Sequence, residues 1–181
     1  ATITVDNALV TSAAFTLDAS AETNGSLTYT GGGGIDTVTG GAKNDTIGGG
    51  AGADVITGGK GADSITGGTG ADVFTYTAAN QSTTNSTDTI VDYVTGTDKF
   101  AFTLDFNTQV NALTFDATVN TAAAGSAAVA SGLSAAIGQA TYDTTNSQLV
   151  VNANADNLIS TADYVVNATA AATAANSIVE G

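Results

Sequence analysis

The chain has no cysteine, no histidine, no methionine and no tryptophan, and its only basic side chains are Lys43, Lys60 and Lys99. Without cysteine, no disulfide braces the fold and no thiolate is available to bind zinc or attack a substrate. The absence of histidine removes Cys/His zinc sites, the HExxH protease helix and every histidine-dependent triad. No G-x-S-x-G elbow is present, since Ser134 in GLSAA lacks the second glycine. These residues are therefore not expected to make an enzyme. There is also no basic region followed by an apolar core at the N-terminus, and no stretch approaches a membrane span, so membrane insertion is not expected. A start at Ala1 fits a processed product or an excised segment.

Aromatic residues make up only 6% of the 181, although hydrophobic residues reach 43%. The length allows one or two domains, and the apolar content argues for a folded chain. Because the apolar residues are mostly Ala and Val, the expected core is thin and needs support from elsewhere. The charge is one-sided: fifteen Asp and two Glu face three Lys, for a net charge of -14. Solubility alone does not discriminate between Asp and Glu. Asp, with its shorter stem, tolerates turns and brings a carboxylate close to the backbone carbonyls that complete a hard-cation site. A nucleic-acid backbone or an anionic membrane would be repelled, which leaves divalent cations as the natural counterpart.

Residues 31–75 divide without a gap into five nine-residue units, GGGGIDTVT, GGAKNDTIG, GGAGADVIT, GGKGADSIT and GGTGADVFT. Each has Gly-Gly at positions one and two, Asp at position six and an apolar residue at position eight. Asp36, Asp45, Asp54, Asp63 and Asp72 thus recur nine residues apart. Six glycine-rich residues can turn sharply, because Gly reaches positive φ without steric cost, and three residues such as TVT make a minimal strand. The middle residue of each strand is expected inside, which assigns Val38, Ile47, Ile56, Ile65 and Phe74 to the core. The pattern is the calcium-binding nonapeptide G-G-x-G-x-D-x-U-x and resembles the RTX family of secreted bacterial proteins. The resemblance implies an all-β fold, a parallel β-roll with one winding per two repeats. Val38, Ile56 and Phe74 would then lie on one sheet, facing Ile47 and Ile65 on the other.

Strands in a sheet lie about 4.8 Å apart and calcium takes oxygens at about 2.3 to 2.6 Å, so an ion between two stacked turns can collect oxygens from both. The expected carboxylate pairs are Asp36 with Asp54, Asp54 with Asp72, and Asp45 with Asp63. The accompanying turn positions are Gly31, Gly33, Gly40, Ala42, Gly49, Gly50, Gly52, Gly58, Gly59, Gly61, Gly67, Gly68 and Gly70. Without the metal, stacked carboxylates repel, the glycines lose much entropy on ordering, and one apolar residue per repeat offers little burial. Calcium binding and folding are therefore expected to be one event. Lys43 stands at the fourth position of its repeat in place of glycine. If that position requires positive φ, it costs on the order of 1 kcal/mol and makes the Asp45 and Asp63 site the weakest.

The chain is expected to divide at 1–30, 31–75 and 76–181. Residues 1–30 hold short strand-like runs, TITV, AAFTLDA and GSLTYT, expected to cap the roll as further rungs of the same stack. After the repeats, Asp88, Thr89, Ile90, Asp92 and Tyr93, then Gly96, Asp98 and Lys99, are similar to the stretch that follows RTX repeats. Asp88 and Asp92 are candidate ligands closing the open edge, and Asp98 is expected to be a plain turn residue. Residues 126–138 are Ala-rich and compatible with a short helix that Gly132 weakens by roughly 1 kcal/mol. QATYDTTNSQLVVN has the pattern of a hairpin and TADYVVNAT that of a further strand. NANADN, residues 152–157, looks like an eroded calcium loop but is expected to be a plain Asx-rich loop.

Three roles share such a module. Its Thr, Ala, Asn and Gly content resembles surface-layer proteins, so the first expectation is a secreted calcium-binding scaffold that self-associates into a lattice or filament at the cell surface, with cell-surface polysaccharide a further candidate partner. The alternative is the C-terminal secretion and folding domain of an RTX exoenzyme, exported unfolded by a type I route from the calcium-poor cytosol. An adhesin segment is the third. Ice adhesion is disfavoured because positions three and five of the repeats form no Thr or Asn ladder.

Overall fold

The computed structural model describes residues 1–78, 80–94 and 96–102, together with strands at 114–115, 139–143, 148–151, 164–168 and 178–180. The 126–138 and 152–157 segments lie outside the described residues. Ten strands come first: β1 (Thr2–Asp6), β2 (Thr16–Asp18), β3 (Ser26–Thr30), β4 (Thr37–Thr39), β5 (Thr46–Ala51), β6 (Val55–Thr57), β7 (Ser64–Thr69), β8 (Val73–Tyr76), β9 (Asp88–Ile90) and β10 (Lys99–Phe102). Five follow: β11 (Thr114–Phe115), β12 (Gln139–Asp143), β13 (Gln148–Val151), β14 (Tyr164–Ala168) and β15 (Ile178–Glu180).

From β1 to β10, odd and even strands alternate between two sheets. One has the order β1-β3-β5-β7-β9-β14-β13-β12-β11 and the other β15-β10-β8-β6-β4-β2. Pairing is parallel through the repeats, with Val38 opposite Ile56, Ile56 opposite Phe74, and Ile47 opposite Ile65. A single winding takes two repeats, because each tight glycine turn carries the chain from one sheet to the other. The lead-in strands are rungs of the same stack: β1 pairs β3, β3 pairs β5, and β2 pairs β4. The expected hairpin is present as the antiparallel pair β12–β13, and the expected further strand is β14, which returns to pair with β9.

The core is the narrow space between the sheets. Val38 and Ile47 are 1% exposed and Ile56, Ile65 and Phe74 are 0% exposed, as the alternation within each repeat predicts. Small glycine turns leave room for only one apolar layer here. At the end of the repeats, Phe74 joins Tyr93, Phe100 and Phe102 in closing the roll, with Tyr93 stacked on Phe100 at 4.8 Å between ring centres. Leu27 and Tyr29 are buried at the other end.

The stacking also explains why so many turn positions are glycine. Gly68 has φ of 101°, and a Cβ on it would lie 1.9 Å from the Gly50 carbonyl oxygen one winding away. Gly68→Ala is therefore expected to prevent the calcium-loaded fold, whereas Ile56→Ala should fold but lose about 2 to 5 kcal/mol through the cavity it leaves. Chemical denaturation of both variants in saturating calcium checks this; a Gly68→Ala protein as stable as the parent would contradict the stacking.

Candidate metal centre

Each repeat delivers its aspartate to a turn edge, and the backbone links these aspartates into two columns. Along the first edge, Asp36 N–H donates to Asp54 Oδ1 at 2.7 Å, Asp54 N–H to Asp72 Oδ1 at 2.9 Å, and Asp72 N–H to Asp98 Oδ1 at 3.1 Å. Along the second, Asp45 N–H donates to Asp63 Oδ1 at 2.8 Å and Asp63 N–H to Asp88 Oδ1 at 2.9 Å. The expected pairs Asp36 with Asp54, Asp54 with Asp72 and Asp45 with Asp63 are thus brought together. Phe15 N–H and Leu27 N–H start the columns by donating to Asp36 Oδ1 and Asp45 Oδ1.

Asp88 continues the second column beyond the repeats and is fully buried, so the 25-residue step from Asp63 replaces the regular 18. Asp92 sits differently: it accepts Gly67 N–H and Gly68 N–H, both at 2.8 Å, one on each carboxylate oxygen, and so caps the end of β7. Asp98 is a turn residue, accepting Val94 N–H on Oδ2, and is also the last member of the first column, a role missed in the sequence. The nine-residue rhythm has stopped by then, and only the Gly-x-Asp-Lys turn before β10 marked it.

The second carboxylate oxygens are not equivalent. Asp36 Oδ2 accepts the Tyr29 hydroxyl at 2.9 Å, and Asp45 Oδ2 accepts Gly41 N–H at 2.7 Å. Asp54 Oδ2, Asp63 Oδ2 and Asp72 Oδ2 are buried with no hydrogen-bond partner. Each is tucked under the first glycine of its own repeat: a Cβ at Gly49, Gly58 or Gly67 would lie 2.4 Å from it. Carbonyls crowd the same edges. The Gly49 carbonyl oxygen lies 1.7 Å from where a Gly31 Cβ would be, the Gly58 oxygen 2.1 Å from that of Gly40, and the Gly67 oxygen 2.6 Å from that of Gly49.

These donors are hard oxygens only, mixing carboxylate with carbonyl. Among the described residues no three acidic side chains converge on one point, so an ion would depend on the carbonyls as much as on the aspartates. Calcium, which accepts six to eight such oxygens in flexible geometry, fits this donor set; zinc, which prefers nitrogen and sulfur, does not.

The left-handed glycines within the repeats are Gly50, Gly52, Gly59, Gly61, Gly68 and Gly70, the second and fourth positions of the last three repeats. The turn that contains Lys43 has none, so the left-handed backbone expected to make Lys43 costly has no counterpart at neighbouring Gly41.

Burial governs the electrostatics. Desolvation raises the Asp63 carboxyl to about 7 and the Asp72 carboxyl to about 6, opposed in part by the backbone donors and reinforced by neighbouring carboxylates. Asp88 rises to about 8, first through burial and then through the charge of Asp63, with the Tyr76 hydroxyl facing it. Asp54 is raised for the same leading reason. A carboxyl whose folded value exceeds its ordinary 3.8 stabilises the fold below that value and loses the contribution as pH rises through the folded one. Chelated protein should therefore lose β structure by far-ultraviolet circular dichroism as pH rises from about 4 to about 8. A chelated chain that gains structure over that range would contradict the ladder's electrostatics.

No curated protein matches the chain. A solution structure of a subunit of the Azotobacter vinelandii mannuronan C5-epimerase is similar at 22% identity over 96% of this chain and 82% of that one, with a TM-score of 0.39. The family described as Peptidase M10 serralysin C terminal matches residues 16–179, taking in β2, all five repeats and the strands that follow. On that match the chain belongs to the serralysin C-terminal family, calcium-binding β-roll modules of secreted proteins.

Proposed function

We propose that the chain is the calcium-locked folding and secretion module of a larger secreted protein, holding calcium along both turn edges and performing no catalysis itself. The observation that carries this reading is the set of buried carboxylate oxygens on Asp54, Asp63 and Asp72 that no protein donor meets. A buried anionic oxygen without a partner is costly, and the cost falls away when a cation takes the vacant lone pairs. Calcium here does the work that disulfides do in other secreted domains. In calcium-poor surroundings at neutral pH the columns repel and the roll opens, which suits export of an unfolded chain; outside the cell the ion closes it.

The family match supports the exoprotein module over the surface-layer scaffold, because the matched family is described as the C-terminal part of a peptidase. The lack of histidine and cysteine supports a non-catalytic role for these residues. Calcium added to the chelated chain at pH 7 should give a cooperative gain of β circular dichroism, and magnesium much less, since its small octahedral shell dehydrates reluctantly. Sedimentation of the calcium-loaded chain should show a monomer. No response to calcium would remove the reading, and assembly into ordered sheets would favour the lattice role instead.

A further inference from the structure

The five repeats agree at their glycine pair, aspartate and apolar positions, yet their turns fall into two kinds. In repeats three to five the second and fourth positions are left-handed glycines, with φ between 98° and 144°, and the aspartate leaves one oxygen buried and unpartnered. In repeats one and two no glycine is left-handed. There the second glycine turns its N–H toward its own aspartate: Gly41 N–H meets Asp45 Oδ2 at 2.7 Å and Gly32 N–H lies 3.4 Å from Asp36 Oδ2. Asp36 gains a stronger donor as well, the hydroxyl of Tyr29, which is 2% exposed. The segment before the repeats packs over the first turn: a Cβ on Gly32 would lie 2.1 Å from the Val10 carbonyl oxygen, and Gly33 N–H donates to that same oxygen at 2.7 Å.

Building on the calcium reading above, we infer that the ladder is divided: Asp54, Asp63 and Asp72 hold calcium, whereas Asp36 and Asp45 are closed by the protein's own donors and hold none. An N–H or O–H on a carboxylate oxygen occupies the lone pair a cation would use and presents it with a positive hydrogen. Repeats one and two thereby act as the capping windings of the roll, self-satisfied without metal. The same division accounts for Lys43. A fourth position in a closed turn has no calcium-binding conformation to maintain, so a side chain is tolerated in repeat two, whereas Gly52, Gly61 and Gly70 hold the corresponding positions in the three open turns.

The test counts calcium ions per chain by native mass spectrometry on the full chain, with the circular dichroism midpoint of the calcium titration as a second readout. Asp36→Asn and Asp45→Asn are expected to keep the parent's ion count and to move the midpoint by less than about threefold. Asn keeps an oxygen for Phe15 N–H or Leu27 N–H, and the Tyr29 hydroxyl can accept as well as donate. Asp54→Asn, Asp63→Asn and Asp72→Asn should each lose at least one ion and shift the midpoint by about tenfold or more. A parent chain that binds ions, one of which is lost in Asp36→Asn or Asp45→Asn, would overturn the division and leave the calcium reading intact. A parent chain that binds none would overturn both. Should Asp36→Asn fail to fold in saturating calcium, Tyr29→Phe decides: freeing Asp36 should add one ion, and an unchanged count would overturn the closure there.

Discussion

Like charges are stacked in this molecule at the spacing of neighbouring strands, and they are buried. Each aspartate of the repeats is 2% exposed or less, and each accepts a backbone N–H from the winding before it. That single donor settles one oxygen. The second is left to whatever else can reach it: a tyrosine hydroxyl, a glycine N–H, or a cation. The remainder of the fold serves to bring the carboxylates to this spacing. At neutral pH it is expected to be stable only when the charge they accumulate is met, because a low-dielectric edge makes unpaired carboxylates far more costly than solvated ones.

Glycine and the thin core follow from the same constraint. Two sheets separated by one layer of Val, Ile and Phe keep the two turn edges parallel, and the glycine-rich turns can only be made where backbone meets backbone. The carboxylate oxygens under Gly49, Gly58 and Gly67 occupy the space of a side chain. Substituting those glycines would displace the donor oxygens, so the requirement for small residues and the requirement for a cation site fall on the same atoms. Aromatic stacking around Phe100 closes one end of the roll, and Leu27 with Tyr29 lies at the other, which lets a core of small repeats end without exposing its interior.

The repeat register was legible because nine-residue spacing repeats both signals at once: Val38, Ile47, Ile56, Ile65 and Phe74 all lie inside, on the sheets expected, and the aspartates pair two repeats apart. The lead-in strands were legible as β-favouring runs, and their place as rungs follows from the continuity of TYT with the first glycines. What periodicity could not reveal lies where it stops. Asp98 joins the first column after a 26-residue step, and Asp92, expected among the ligands, spends both oxygens on β7. The difference between the first two turns and the last three was equally hidden, since the glycine pairs are identical and, at the first turn, the contacts are tertiary: Tyr29 and the Val10 carbonyl reach it from outside the repeats. Composition pointed toward a surface layer, but composition is shared by many extracellular proteins, and it is the match over residues 16–179 that assigns the family.

The columns of N–H to carboxylate bonds are expected to hold only when the charge is met. Amide hydrogen exchange at Asp36, Asp45, Asp54 and Asp63, four of the N–H groups that form the columns, measures this directly at pH 7. These four amides should be strongly protected with calcium and should exchange at nearly the unfolded rate in chelator. Equal protection in both conditions would contradict the account.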